Sequence, residues 1–298
     1  MKKISAPVFA LLTPFNVDGQ IDFVALSDYI FFLQEKGVKT ILTNGTTSEF
    51  FSLSLEERMA LLEFCRKVFG DGVILNNVSA CCLEDCVKLA RHSEDYADAL
   101  VVLPPFYLAG VPESGIVSFL SEVLSRTSLP IFLYHFPKHT QNAITVAMAE
   151  VLLGRHEHLV GIKDSEGVLE NSVRFKRLNG GAFQVFVGGD RMVLEVLKRG
   201  LEGSITGGGN AFPELLLAIV EHFVRGDLVA AERVQGHLNV WSRFRKQHVL
   251  GEIALTKVAL RSRLRGFPVG VRVPLVSGDK AELEVVERFV SREVMGFI

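Results

Sequence analysis

Leu129-Pro130-Ile131-Phe132-Leu133-Tyr134 and Leu159-Val160-Gly161-Ile162-Lys163-Asp164 are two short apolar runs, each closing on polar side chains capable of chemistry. Runs this short, rich in Ile, Val and Phe, read as buried strands of a parallel sheet. Working outward, the pattern recurs. Strands are expected at Val8–Leu12, Thr40–Thr43, Val73–Val78, Ala99–Leu103, Ile131–Tyr134, Val160–Lys163, Gln184–Val187 and Gly203–Thr206. Successive runs lie about 20 to 35 residues apart, which is room for one helix and two loops.

The intervals between them read as helices. Phe23 to Lys36 carries Leu26, Ile30 and Leu33 at three- and four-residue steps, with Gly37 as a stop. Ser54 with Glu57 three positions on is a capping-box pair. Glu113 (after Pro112), Thr145 and Asp190 are expected to begin later helices. Eight βα units in series place the chain in the α/β class as a (β/α)8 TIM barrel with a C-terminal helical extension. A doubly wound sheet shares the alternation, but no Gly-x-Gly-x-x-Gly follows the first strand. Gly207-Gly208-Gly209 after the eighth strand either cradles a phosphate or closes a tight turn, and both readings stay open. Beyond residue 225 the strand signals stop, and Asp227–Arg245, Glu252–Arg263 and Lys280–Val294 read as helices. The expected division is a catalytic barrel over residues 1–225 and a helical region over 226–298.

Length and composition agree with one large unit. A typical barrel of this kind takes roughly 250 residues, and the chain has 298. With 32 basic against 34 acidic side chains, the net charge of −2 offers no field for a nucleic-acid backbone or an anionic membrane. Cys65, Cys81, Cys82 and Cys86 lack the spacing of a disulfide framework or a zinc site, and read as small buried or half-buried thiols. The amino terminus carries no signal-peptide pattern and no run is long enough for a membrane helix, so a cytoplasmic location is expected.

In a parallel barrel the chemistry sits at the carboxyl ends of the strands. Lys163 ends the sixth run, where a side chain aimed into the barrel would be partly desolvated, which frees an amine to attack a carbonyl. From that segment alone, a lysine paired with Asp164 is the plainer reading. Tyr134 ends the neighbouring fifth run, and its phenol can relay protons to and from a carbinolamine and enamine. Taken singly, a buried tyrosine bonded to a carbonyl is commoner. Asn44-Gly45-Thr46-Thr47-Ser48-Glu49 is a turn whose hydroxyls and backbone N–H groups suit a carboxylate.

Together these segments are more specific. Gly45-Thr46-Thr47-Ser48-Glu49-Phe50-Phe51-Ser52-Leu53, followed by Glu56-Glu57-Arg58, resembles the family of dihydrodipicolinate synthase and N-acetylneuraminate lyase. The resemblance continues in Leu12-Thr13-Pro14-Phe15, Pro105-Phe106-Tyr107, Pro130 to Pro137 and Gly161-Ile162-Lys163-Asp164-Ser165, covering nearly the whole chain. It implies a barrel with a C-terminal helical region, a homo-oligomer (a tetramer built from dimers, or a dimer), and a small-molecule 2-oxo acid substrate. It further implies that Lys163 forms a Schiff base, Tyr134 relays protons, and Thr46 and Thr47 hold the 2-oxo acid carboxylate. Tyr107 matches the tyrosine that completes a Thr–Tyr–Tyr relay from a neighbouring subunit. Ile205 matches a position whose backbone carbonyl faces the catalytic centre. No metal or organic cofactor is expected, because the protonated imine is itself the electron sink.

The second-substrate residues depart from those of the relatives. His139, beside Lys138, stands where the synthases carry an arginine that grips a semialdehyde carboxylate, and histidine has no bidentate fork. Gly189-Asp190-Arg191-Met192 fills the turn where sialic-acid lyases carry an acid pair. Tyr134-His135-Phe136-Pro137 replaces the usual Tyr-Asn-x-Pro, Ser48 replaces a glycine, and Asn76-Asn77-Val78-Ser79 replaces a Gly-rich turn. The expected catalytic set is Lys163, Tyr134, Thr46 and Tyr107, and the expected substrate-binding set is Thr47, Ile205, His139 and Asp190. The expected activity is a class I lyase acting on a 2-keto-3-deoxy sugar acid or a 4-hydroxy-2-oxo acid. The alternatives are dihydrodipicolinate synthase itself, a metal-dependent aldolase using His135, Asp164 and Asp190, and an inactive 2-oxo acid binding protein.

Overall fold

The computed structural model describes residues 2–297. Met1 and Ile298, the outer ends of the two expected regions, lie outside the described residues. The strands are β1 (Val8–Ala10), β2 (Thr40–Thr43), β3 (Val73–Asn77), β4 (Ala99–Val102), β5 (Ile131–His135), β6 (Leu159–Asp164), β7 (Gln184–Gly188) and β8 (Gly203–Thr206). They close in sequence order into a parallel barrel, with β8 pairing back on β1, so the chain adopts the expected (β/α)8 fold. The helices are α1 (Phe23–Glu35), α2 (Leu55–Phe69), α3 (Leu83–Ser93), α4 (Glu113–Leu124), α5 (Pro137–Thr140) and α6 (Val146–Leu153). They continue as α7 (Leu169–Lys176), α8 (Val193–Lys198), α9 (Pro213–Val224), α10 (Leu228–Gln247), α11 (Gly251–Arg263) and α12 (Lys280–Glu293).

Local sequence explains where these elements begin. Asp22 caps α1 by accepting from the Val24 and Ala25 N–H groups, and Ser54 and Glu57 form a reciprocal capping box on α2. Thr145 caps α6 by accepting from the Met148 N–H. Strand ends differ from the sequence expectation by one or two residues; Leu11 and Leu12 stay buried although β1 stops at Ala10. One helix start needs correcting. Asp190 does not begin α8, which starts at Val193 after an uncapped Met192, because the Asp190 carboxylate is drawn into a buried ion pair described below.

Alternation along the strands sorts the core into two layers. Val8, Ala10, Leu42, Leu75, Val101, Phe132, Tyr134 and Phe186 fill the barrel, while Ile41, Ile74, Leu100, Leu133, Ile162 and Val185 face the helices. The Phe132 and Phe186 rings meet edge to face at 5.7 Å and floor the interior below the carboxyl ends. Gly161 makes this floor possible: a Cβ there would overlap the Gln184 carbonyl oxygen and lie 2.5 Å from Phe132 Cε1.

Residues after α9 pack back onto the barrel. Trp241 of α10 is fully buried, donates its indole N–H to the Gly208 carbonyl at 3.0 Å, and packs edge-on against Phe212 at 5.3 Å. Phe244 stacks on Phe289 at 3.8 Å and holds α12 to α10. The glycine run is a close-packed turn. Cβ atoms on Gly207, Gly208 and Gly209 would overlap Thr47, the Asp190–Arg245 pair and Leu216 respectively, so protein fills the space around all three.

Gly161→Ala is expected to lower stability by about 1–3 kcal/mol, because the added methyl collides with the Gln184 carbonyl oxygen and forces Phe132 off its seat. Chemical denaturation measures this, and an unchanged midpoint would mean that both the β6–β7 backbone and the Phe132 ring yield without cost.

Candidate active site

The β5–β6 register sets Tyr134 beside Lys163, and the β6–β7 register sets Lys163 beside Phe186. Both polar side chains point inward at the carboxyl end of the barrel, Tyr134 at 2% exposure and Lys163 at 5%. Lys163 Nζ lies 4.0 Å from the centre of the Tyr134 ring. The phenol oxygen faces Thr46 Oγ1 at 3.4 Å, so lysine, tyrosine and threonine from three different strand ends converge. A shielded amine beside a phenol and a hydroxyl is suited to carbonyl addition with proton relay.

The threonine turn is fixed from several sides. The Ser48 N–H donates to the Gly45 carbonyl at 3.0 Å and the Glu49 N–H to the Thr46 carbonyl at 3.0 Å. Ser48, in place of the relatives' glycine, donates its hydroxyl to the Leu11 carbonyl at 2.6 Å, and Thr13 donates to the Ser48 carbonyl at 2.8 Å. Thr47 seats its hydroxyl where a Cβ on Gly207 would lie, which ties the turn to the end of β8.

The remaining expected residues fall into two groups. Ile205 is buried at the end of β8, and its carbonyl accepts from the Gly189 N–H at 3.3 Å. His139 is exposed on α5, with its ring edge against Phe136 at 4.2 Å, and Phe136 in turn stacks over Tyr134 at 5.8 Å. Partial cover of the ring, and then the neighbouring Lys138 charge, hold His139 below its ordinary pKa. Phe136 was not singled out by the sequence, although its place between Tyr134 and Pro137 was the available signal. Tyr107 stands apart from the cluster, 97% exposed with φ +81°. Asp190 is also separate: its side chain is closed to solvent, pairs with Arg245 at 2.6 Å and accepts from the Thr206 hydroxyl.

Behind the Lys163–Tyr134 wall, His135, Asp164 and Glu166 bring ligand atoms within 4.8 Å of one another. The donor chemistry does not suit a cation. His135 Nδ1 accepts from the Ile144 N–H at 2.9 Å, so the neutral ring carries its proton on Nε2, which faces Glu166 Oε2 at 3.7 Å. The Asp164 oxygens accept from the Glu166 N–H at 3.0 Å and from the Ser172 hydroxyl at 2.6 Å. His135 and Asp164 are thus committed to hydrogen bonds with the surrounding chain, and Asp190, the third ligand of the metal alternative, is committed to Arg245.

The chain matches the family described as Dihydrodipicolinate synthetase family over residues 3–293. It is similar to a 4-hydroxy-tetrahydrodipicolinate synthase of Corynebacterium urealyticum, 31% identical and covering 94% of this chain and 91% of that protein. It is also similar to a probable 2-dehydro-3-deoxy-D-pentonate aldolase of Escherichia coli, 32% identical over 78% of each chain. A catalytic-lysine mutant of the Ruminococcus gnavus sialic acid aldolase shares the fold, with TM-score 0.90 and 24% identity over 98% of this chain and 97% of that one. Among the described residues no helix is long and apolar enough to cross a membrane.

Burial holds His135 below its ordinary pKa of 6.5, against the weaker opposing pull of Asp164 and Glu166. As pH falls below 6.5, the unfolded chain takes up this proton before the folded one, so stability drops. His135→Asn is expected to lose less stability than the wild type on acidification from neutral pH. Thermal melts at paired pH values measure the difference, and parallel curves would show that His135 titrates as an ordinary histidine.

Proposed function

The chain belongs to the dihydrodipicolinate synthetase family, whose members are class I aldolases and lyases, and from that premise we propose that it cleaves or forms a carbon–carbon bond in a 2-keto-3-deoxy sugar acid or a short 4-hydroxy-2-oxo acid. The observation that carries this reading is the buried Lys163–Tyr134–Thr46 cluster. Lys163 Nζ attacks C2 of the 2-oxo acid, and the carbinolamine loses water to give a protonated imine. Tyr134, in contact with Thr46, carries the protons for that dehydration. Thr47 and the N–H groups of its turn hold the substrate carboxylate. In the cleavage direction, the imine accepts the electron pair of the breaking C3–C4 bond as an enamine. Tyr134, having given its proton to the departing water, takes the C4 hydroxyl proton as the aldehyde leaves and returns it to C3; hydrolysis of the imine then releases pyruvate and the free Lys163 amine.

The E. coli relative named as a pentonate aldolase supports a sugar-acid substrate, and so does the mouth of the barrel. A semialdehyde carboxylate asks for a fixed cation, whereas His139 is exposed and kept towards its neutral form. The Corynebacterium relative named as a synthase supports the condensation alternative, with Lys138 as the cation that could reach in. In this reading residues 1–225 form the catalytic barrel and 226–298 its helical support. A large aromatic such as Tyr107, out in solvent with positive φ, is suited to cover by a second copy of the chain.

Pyruvate with borohydride is expected to leave a reduced adduct on Lys163, seen by mass spectrometry and abolished in Lys163→Ala. Tyr134→Phe is expected to slow adduct formation about 10²–10³-fold with the fold intact. Folded wild-type protein without an adduct would sink the Schiff-base reading. A screen of 3-deoxy-2-oxo sugar acids against aspartate semialdehyde then separates the two activities.

A further inference from the structure

Lys257 lies in the middle of α11, among Leu255, Thr256, Val258, Ala259 and Leu260, with its side chain at 0% exposure. A lysine so placed needs a partner for its charge. Nζ donates to Glu49 Oε1 at 2.6 Å and to the Gly270 carbonyl at 2.7 Å, and lies 4.4 Å from the centre of the Phe15 ring. The other Glu49 oxygen accepts from the Arg272 N–H at 2.9 Å. Both oxygens of a carboxylate in the active-site turn are therefore held by residues more than 200 positions later in the chain.

Glu49 is also the residue that closes that turn. It sits at φ +59°, a left-handed conformation that a non-glycine residue keeps only when its surroundings impose it. In that conformation its N–H reaches the Thr46 carbonyl at 3.0 Å and its carbonyl accepts from the Ser52 N–H at 2.8 Å. Thr46 and Thr47 are thereby aimed between Tyr134 and Gly207. A buried ion pair adds little net stability over a well-packed apolar replacement, so its use here points to geometry.

We propose that Lys257 is a positioning residue: by fixing Glu49 from the C-terminal helical region, it holds the Thr46–Thr47 turn in the conformation that binds the substrate carboxylate. This rests on the reading that Thr46 and Thr47 bind that carboxylate. Arg272 supports the same clamp, with its guanidinium bonded to both Glu57 oxygens and lying over Phe15.

The test compares wild type, Lys257→Met, Glu49→Gln and, as a stability control, Val286→Ala in α12. Hydrogen exchange over residues 43–53 reads the turn directly. Borohydride trapping on Lys163 against pyruvate concentration reads carboxylate binding. In Lys257→Met and Glu49→Gln, exchange in 43–53 is expected to rise about ten-fold and the half-saturating pyruvate about five-fold or more, with the limiting trapping rate within about two-fold of wild type. Val286→Ala is expected to lower Tm and change neither readout. If Lys257→Met does not fold, Glu49→Gln, which keeps shape and removes charge, decides alone. Unchanged exchange over 43–53, or faster exchange with unchanged half-saturation, overturns the role of Lys257. Failure of the wild type to trap pyruvate overturns instead the Schiff-base reading, and the carboxylate role with it.

Discussion

A strand in a closed parallel sheet can point a side chain only into the barrel or out towards the helices, and β6 uses both directions in succession. Lys163 goes inward and Asp164 outward. The inward amine needs a floor that excludes water and a neighbour that can move protons. Phe132 and Phe186 supply the floor, and Tyr134, in register on the adjacent strand, supplies the neighbour. The outward carboxylate needs donors, which the Glu166 N–H and Ser172 provide. Gly161, two positions earlier on the inward face, leaves the space that the Phe132 ring occupies. Thus one strand fixes both the buried Lys163–Tyr134 wall and the hydrogen bonds behind it.

The barrel was legible because its signal is local. Apolar runs separated by amphipathic ones are visible over a few dozen residues, and the caps at Ser54 and Thr145 lie within one turn of the helices they start. The Lys163–Tyr134 meeting was legible too, because consecutive strands of a barrel are neighbours and both residues end their runs. Asp190 was misread as a helix start because its partner, Arg245, lies 55 positions away on α10. Acidic residues often open helices, and nothing near Asp190 in sequence announces a buried cation. Lys257 posed the same difficulty: a lysine inside Ala254-Leu255-Thr256-Lys257-Val258-Ala259-Leu260 is a signal of an internal partner, but not of which one. The glycine run was undecidable for a related reason, since the groups that exclude a Cβ at Gly207 and Gly208 come from the turn after β2, the turn after β7 and α10.

The departures from the relatives have local explanations of unequal kind. Ser48 is paid for in kind, since its hydroxyl reaches the Leu11 carbonyl and anchors the turn that a glycine would leave freer. His135 exchanges an amide for a ring that accepts from the Ile144 N–H and faces Glu166, so the end of β5 is tied to the segment that leads into α6. At His139 the change is of another sort: an exposed ring over Phe136 replaces a charged fork. The first two alter support and leave Lys163, Tyr134 and Thr46 together, whereas the third places an exposed ring, with no fixed charge, at the mouth of the barrel.

The helices after α9 bear on how this barrel can be cut. Arg245 neutralises Asp190 at the end of β7, Lys257 neutralises Glu49 after β2, and Trp241 satisfies the Gly208 carbonyl after β8. A chain ended at residue 225 would strand two carboxylates and a carbonyl inside the rim that holds Lys163, Tyr134 and Thr46. The eight βα units are therefore not a detachable module on which a different tail could be exchanged freely. Any recombination that keeps this rim has to carry its distant counter-charges along as one inherited block.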